Sequence, residues 1–222
     1  MTYRLVLFDF DGTLADSLPF FVAVFNQIAD RHRFARIDPA EVPALRHLDA
    51  RQMMARVGMP RWKLPFVARS FLALMRRSPE RIPLFPGIPD ALRRLAEDGT
   101  ALGIVTSNAE DNVRAILGPG LAGLFQHYEC GASILGKRRR LSRALRRAGV
   151  APHQALYVGD QATDLEAARS AGLAFAAVGW GYGDLAALTA LRPDHALNSV
   201  EALGRLGMAA PLNSPHPRPI EQ

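Results

Sequence analysis

Short apolar runs alternate with stretches of helical periodicity along the chain, a pattern that predicts a parallel sheet covered by helices on both faces. The first run, Leu5-Val6-Leu7-Phe8, is apolar at every position, as a strand buried on both faces must be. Further strands are expected at 101–105, 128–130, 155–158 and 174–178. Between them, apolar spacing of three and four residues predicts helices at 88–98, after Asn108 to about 117, at 141–148 and at 165–171. Gly99 and Gly172 stand just past the ends of two of these.

Nothing between Ser17 and Leu84 reads as a strand. Helices are expected at 20–33, from Pro39, at 49–57 and at about 64–77, with Asp16-Ser17 as an N-cap pair for the first. Phe66, Val67, Ala68, Phe71, Leu72 and Leu74 are the packing residues of the last, and Pro65 sits in its first turn, where a missing N–H does no harm. The expected architecture is α/β: a core at 1–16 and 85–210, an inserted α-helical cap at 17–84, and a mobile Pro-rich tail at 211–222.

Composition narrows the picture. A chain of 222 residues suits one core domain with one sizeable insertion. No apolar run is long enough to cross a bilayer, which argues against a membrane partner. The first dozen residues already hold candidate chemistry, which leaves no room for a cleavable targeting segment and points to the cytoplasm. The single cysteine, Cys130, excludes an internal disulfide and reads as a small core residue. Net charge is +6, and of 27 Lys and Arg only Lys63 and Lys137 are Lys. Where solvated positive charge is wanted, this chain uses Arg, so each lysine is informative.

The candidate chemistry lies at strand ends. Asp9 and Asp11 are two apart where the first strand stops, so they start out aimed at one place, and Gly12 then permits a sharp turn. Two close carboxylates both stay ionised only beside a cation or with a shared proton. Taken alone, the stretch would also fit Asp residues capping a turn. Thr106 and Ser107 end the second strand, and Asp160 follows the fourth. Asp164, four residues on, shares a helix face with Asp160. If these strands are neighbours, four carboxylates surround one point, and a hard cation such as Mg²⁺ makes that tolerable.

These residues resemble the haloacid dehalogenase-like hydrolases. Asp9-Phe10-Asp11-Gly12-Thr13 matches the first motif of that family, Gly103 to Thr106 the second, Lys137 the third, and Gly159-Asp160-Gln161-Ala162-Thr163-Asp164 the fourth. Gly179-Trp180-Gly181-Tyr182-Gly183 is similar to the phosphoglycolate phosphatase branch. The resemblance implies a three-layer Rossmann-like core with a helical cap, and a Mg²⁺-dependent phosphatase acting on small phosphorylated metabolites through an aspartyl-phosphate. Asp9 would be the nucleophile and Asp11 the general acid and base. Thr106, Ser107 and Lys137 would hold phosphoryl oxygens. The metal would sit on Asp9, Asp11 (through its carbonyl oxygen), Asp160 and Asp164. Asp11 separates the chain from dehalogenases and phosphonoacetaldehyde hydrolases, which lack an acid there. A phosphosugar mutase or sugar-phosphate phosphatase keeps all four motifs and is the alternative within the family.

Arg138-Arg139-Arg140 follow Lys137 where relatives often carry prolines, and with Arg143, Arg146 and Arg147 they form a basic helix. Leu141, Ala144, Leu145 and Ala148 mark its opposite face, as in an amphipathic surface helix. A catalytically dormant nucleic-acid-binding protein using 137–147 is the rival of a different class. No interleaved aromatics or nucleic-acid motif accompany the cluster, which argues against that partner. In the cap, Arg46 lies where relatives present specificity residues and could meet an anionic leaving group, with Arg51 as a second candidate. 2-Phosphoglycolate is the favoured substrate on these grounds; the oligomeric state is left open.

Overall fold

The computed structural model of the chain describes residues 3–42, 50–131 and 136–206. Strand β1 (Leu5–Phe8) is followed by helices α1 (Leu18–His32), α2 (Ala50–Arg56), α3 (Leu64–Arg77) and α4 (Ile88–Glu97). Strands and helices then alternate: β2 (Ala101–Val105), α5 (Glu110–Ala122), β3 (Phe125–Glu129), α6 (Lys137–Ala148), β4 (Ala155–Gly159) and α7 (Ala162–Ala171). The order closes with β5 (Ala174–Val178), α8 (Leu185–Ala190), β6 (His195–Leu197) and α9 (Val200–Leu203). The six strands form one parallel sheet in the order β3-β2-β1-β4-β5-β6. This is the α/β parallel sheet expected from the alternation, in the Rossmann-like form that the resemblance implies.

β1 has no polar position because both its faces are covered. Val6 and Phe8 enter one apolar cluster with α1 and α4, while Leu5 and Leu7 enter another with α6 and α7. Each such side chain contributes about 1.5–3 kcal/mol by leaving water. β1 lies between β2 and β4, where the direction of strand addition reverses, and chain ends diverge there to leave a crevice at the carboxyl edge. Phe8 is level with Ile104 on one side and Val158 on the other, so the residues just after β1, β2 and β4 meet above that crevice.

Several boundaries differ from the pattern-based reading. β3 begins at Phe125 rather than 128, α7 begins at Ala162 rather than 165, and β6, α8 and α9 are additional elements. β6 is a three-residue edge strand, His195-Ala196-Leu197, with one buried position, so it carries no apolar run to detect. α6 starts at Lys137, four residues before Leu141, because its first turn is wholly basic and hides the helical period. Cys130 falls just past β3 and is half-buried against the larger cluster.

Among the described residues, 18 to 81 contribute helices only. The segments flanking them pair with each other: Ala15 bridges Leu84, Asp16 N–H donates to Pro83 O at 2.9 Å, and Phe85 N–H donates to Leu14 O at 3.0 Å. Within the helices Phe21 stacks on Phe71 with ring centroids 4.6 Å apart, and Phe25, Ala29, Ile37 and Val57 form a small core of their own. Phe66, expected to pack, is 55% exposed. Arg46 and the 211–222 tail lie outside the described residues, as does the side chain of Arg51.

Candidate active site

Asp9 follows β1, and its N–H continues the sheet by donating to Val158 O at 2.9 Å. Asp160 follows β4, and Asp164 lies in the first turn of α7. All three are buried, and a carboxylate oxygen from each lies within 4.8 Å of the others. Burial raises the Asp9 carboxyl to about 7, with Lys137 opposing and Asp164 and Asp160 adding to the rise. Burial and then Asp164 raise Asp160 to about 6. Asp164 accepts from Gln161 N–H at 3.1 Å, and the Tyr157 hydroxyl stands 3.2 Å from its Oδ1.

Gly12 closes the turn after Asp11 with φ of +84°, a conformation L side chains resist. A Cβ there would stand 2.6 Å from Asp160 Oδ2, so position 12 has no room for any side chain.

One cation enters the cluster. Lys137 Nζ is 2.8 Å from Asp9 Oδ2 and also bonds Asp164 Oδ1. Burial works against its charge, but Asp164 and Asp9 outweigh that and raise its proton affinity. A helix normally disfavours cations in its first turn. Here the cost is offset, because Lys137 meets these two carboxylates and Arg140 donates to Thr106 O at 3.0 Å.

Two further arginines of α6 are held by the protein as well as by water. Arg143 and Arg147 both donate to Glu129, which is 3% exposed, at 3.2 and 3.0 Å. Arg143→Ala leaves Arg147 in place and is expected to cost about 1 kcal/mol or less of stability, with turnover unchanged. Removing both arginines strands a buried carboxylate and is expected to cost about 3–5 kcal/mol. Urea unfolding measures both; a double variant as mild as the single one would mean that Glu129 finds water.

The Asp11 carboxylate does not join the other three. It turns toward Asn108, whose side-chain amide donates to Asp11 Oδ2 at 3.1 Å, and Asp11 Oδ1 is buried without a hydrogen-bond partner among the described residues. Burial raises this carboxyl above its ordinary value. Three carboxylates and one ammonium therefore surround the point where four carboxylates were expected, with Asp11 set to one side. Thr106 is 1% exposed and accepts from Asn108 N–H at 3.1 Å, whereas Ser107 is exposed. A cavity of about 390 Å³ opens beside Asp11, Ser107 and Asn108 and runs between apolar side chains of the helices, including Phe21, Phe71 and Met53.

Three contributors carried no chemical signal of their own in the sequence. Asn108 looked like a helix-start residue, Tyr157 like strand packing, and Tyr182 like part of a glycine loop. Tyr182 N–H and Gly183 N–H hold Asp160 Oδ2 at 2.9 and 3.3 Å.

The family model described as haloacid dehalogenase-like hydrolase matches residues 6–178. The chain belongs to the haloacid dehalogenase-like hydrolases. Within that family, a phosphoglycolate phosphatase of Synechococcus elongatus is 39% identical over 198 residues, covering 87% of this chain and 92% of its own length. One of Pseudomonas putida is 31% identical over 216 residues, covering 90% and 78%. The hydrolase is thus a phosphoglycolate phosphatase-like member, of the phosphoric monoester hydrolase class. Its fold is shared with CbbY from Rhodobacter sphaeroides, solved in complex with phosphate (TM-score 0.70, 23% identity, 91% of this chain and 96% of that one). A haloacid dehalogenase-like protein of Streptococcus pneumoniae gives a TM-score of 0.75 at 22% identity, covering 90% and 96%. At such identities the likeness carries the fold alone.

Proposed function

We propose that the hydrolase cleaves small phosphomonoesters through an aspartyl-phosphate on Asp9, with Mg²⁺ as cofactor and 2-phosphoglycolate as the first substrate to test. The buried Asp9–Lys137–Asp164–Asp160 cluster carries this reading. Asp9 Oδ attacks phosphorus as the bond to the ester oxygen breaks, and Asp11 gives that oxygen its proton. Water then attacks phosphorus, Asp11 takes its proton, and the bond to Asp9 breaks to release phosphate. Thr106 and Lys137 hold phosphoryl oxygens, with Ser107 at the mouth.

The donor set suits a hard cation: oxygen ligands only, buried, with three carboxylates against one ammonium. Asp9, Asp160 and the Asp11 carbonyl would hold Mg²⁺, with Asp164 ligating or orienting water; the ion would supply charge neutralisation at the phosphoryl group. The helices of 17–84 act as a mobile cap that excludes bulk water from the intermediate.

A pH dependence follows. The folded, metal-free protein keeps protons on Asp9 and Asp160 up to about 7 and 6, where an unfolded chain has lost them near 4. The folded state then binds more protons, so these groups make stability fall as pH rises between about 4 and 7. Mg²⁺ competes with those protons, so its stabilisation should be small at pH 5 and large at pH 8. Thermal melts in EDTA and in Mg²⁺ measure the difference; a shift independent of pH would count against metal on these carboxylates.

Substrate choice is tested by phosphate release. Among the described residues no cation lines the cavity, so recognition of a carboxylate falls to Arg46, with Arg51 second. Turnover of 2-phosphoglycolate should exceed that of an uncharged aryl phosphate, and Arg46→Ala should reduce kcat/KM selectively for the former. Equal losses on both would leave the chemistry standing and remove Arg46 from recognition. Preference for a sugar phosphate would favour the alternative reading, and no turnover of any phosphomonoester with Mg²⁺ would sink the proposal.

A further inference from the structure

Tyr182 stands between the candidate metal site and the start of the first cap helix. Its backbone N–H and that of Gly183 hold Asp160 Oδ2, and the loop is pressed against Asp160 so closely that a Cβ on Gly183 would lie 1.7 Å from Asp160 O. At the other end of the same residue, the Tyr182 hydroxyl accepts from Leu18 N–H at 2.8 Å and donates to Asp16 Oδ1 at 3.2 Å. Helix α1 needs this acceptor. Ser17 occupies its N-cap position but makes no side-chain cap bond, contrary to the capping role expected for Asp16-Ser17. The capping oxygen therefore comes from 164 residues away. Trp180, in the same loop, ties down the intervening turn by donating from its indole to Thr13 O at 3.0 Å. Tyr182 also meets the returning segment, with its ring 6.3 Å from that of Phe85.

We propose that Tyr182 is a positioning residue that couples the metal site at Asp160 to the cap, through the 16–18 segment where α1 begins. This rests on the reading that Asp160 takes part in holding Mg²⁺. A cation that orders Asp160 orders the N–H groups upon it, and with them the phenol that caps α1. Coupling between sites is reciprocal, so the cap's docked arrangement favours the ordered Asp160 in return.

Tyr182→Phe separates the two ends, since it keeps the ring and both N–H donors to Asp160 and removes only the hydroxyl. Calorimetry with Mg²⁺ should show binding to both proteins. Amide exchange at Leu18 should slow on adding Mg²⁺ to the wild-type protein, by about 5-fold or more for a coupling of ordinary size, and should not respond in Tyr182→Phe. Because a cap less often docked lowers apparent affinity, KM for 2-phosphoglycolate should rise while kcat changes little. By the same reciprocity Mg²⁺ affinity should fall by no more than the factor by which Mg²⁺ slows exchange at Leu18, whereas a merely structural role would lower kcat with the Leu18 response still present in Tyr182→Phe. Mg²⁺ binding without any response at Leu18, or the same response in both proteins, overturns the coupling alone. Absence of Mg²⁺ binding to the wild type overturns the metal reading and the coupling with it.

Discussion

Asp9→Asn should abolish phosphatase turnover, by on the order of 10⁶-fold if loss of a nucleophile behaves here as elsewhere, while leaving the protein as stable as before or more so. The amide is nearly isosteric, so packing at the end of β1 is kept. Burial already disfavours charge at this position, raising the Asp9 carboxyl to about 7, and a neutral amide removes that cost. It also removes one of three mutually repelling carboxylates, while Lys137 keeps Asp164 as a partner. Melting at pH 8 should therefore be unchanged or higher, which separates lost chemistry from lost structure. Asp11→Asn should also be severe, because it removes both proton transfers, and burial raises its carboxyl in the direction a general acid needs. Acid quenching of the wild-type protein during turnover should leave phosphate on Asp9. Normal turnover by purified Asp9→Asn protein would sink the covalent mechanism.

The parts of this site that the sequence made legible are those that obey short-range rules. A strand buried on both faces must be apolar throughout, so the sudden appearance of Asp9 and Asp11 stands out. The alternation of strands and helices implies a parallel sheet, and a parallel sheet collects its strand ends on one edge. What stayed hidden depends on contacts distant in the chain. Asp11 and Asp9 share a direction only while the backbone stays extended, and the chain already turns at Phe10, whose O accepts from Leu14 and Ala15 N–H, with Asp11 facing Asn108. Tyr157 reads as core because its hydroxyl finds Asp164 only after β4 and α7 are packed. Tyr182 is 164 residues from Leu18, and no local periodicity carries that bond. The basic first turn of α6 hides its period for the same reason: Lys137 faces Asp9 and Asp164 and Arg140 faces Thr106 O rather than water alone.

Lys137→Ala should lower kcat/KM by about 10²–10³-fold, near 3–4 kcal/mol, as loss of one aimed electrostatic donor does in a dry site. The geometry makes the ammonium hard to replace. It is the cation that meets both Asp9 and Asp164 among the described residues, while Arg143 and Arg147 are engaged by Glu129. Raising Mg²⁺ should not restore the loss, because a second ion would have to sit where Lys137 enters from α6. Lys137→Arg should not restore it either, since the planar guanidinium is wider than an ammonium and its fork would reach into the phosphoryl position. Without Lys137 the Asp9 carboxyl should rise further, because the lysine is what opposes its desolvation. The variant should then bind Mg²⁺ more weakly at pH 6 than at pH 8, by a wider margin than the wild type. Kinetics on 2-phosphoglycolate and calorimetric Mg²⁺ titrations at the two pH values test both statements. Full activity in Lys137→Ala, with Arg138→Ala crippled in its place, would move the third motif one residue along the helix.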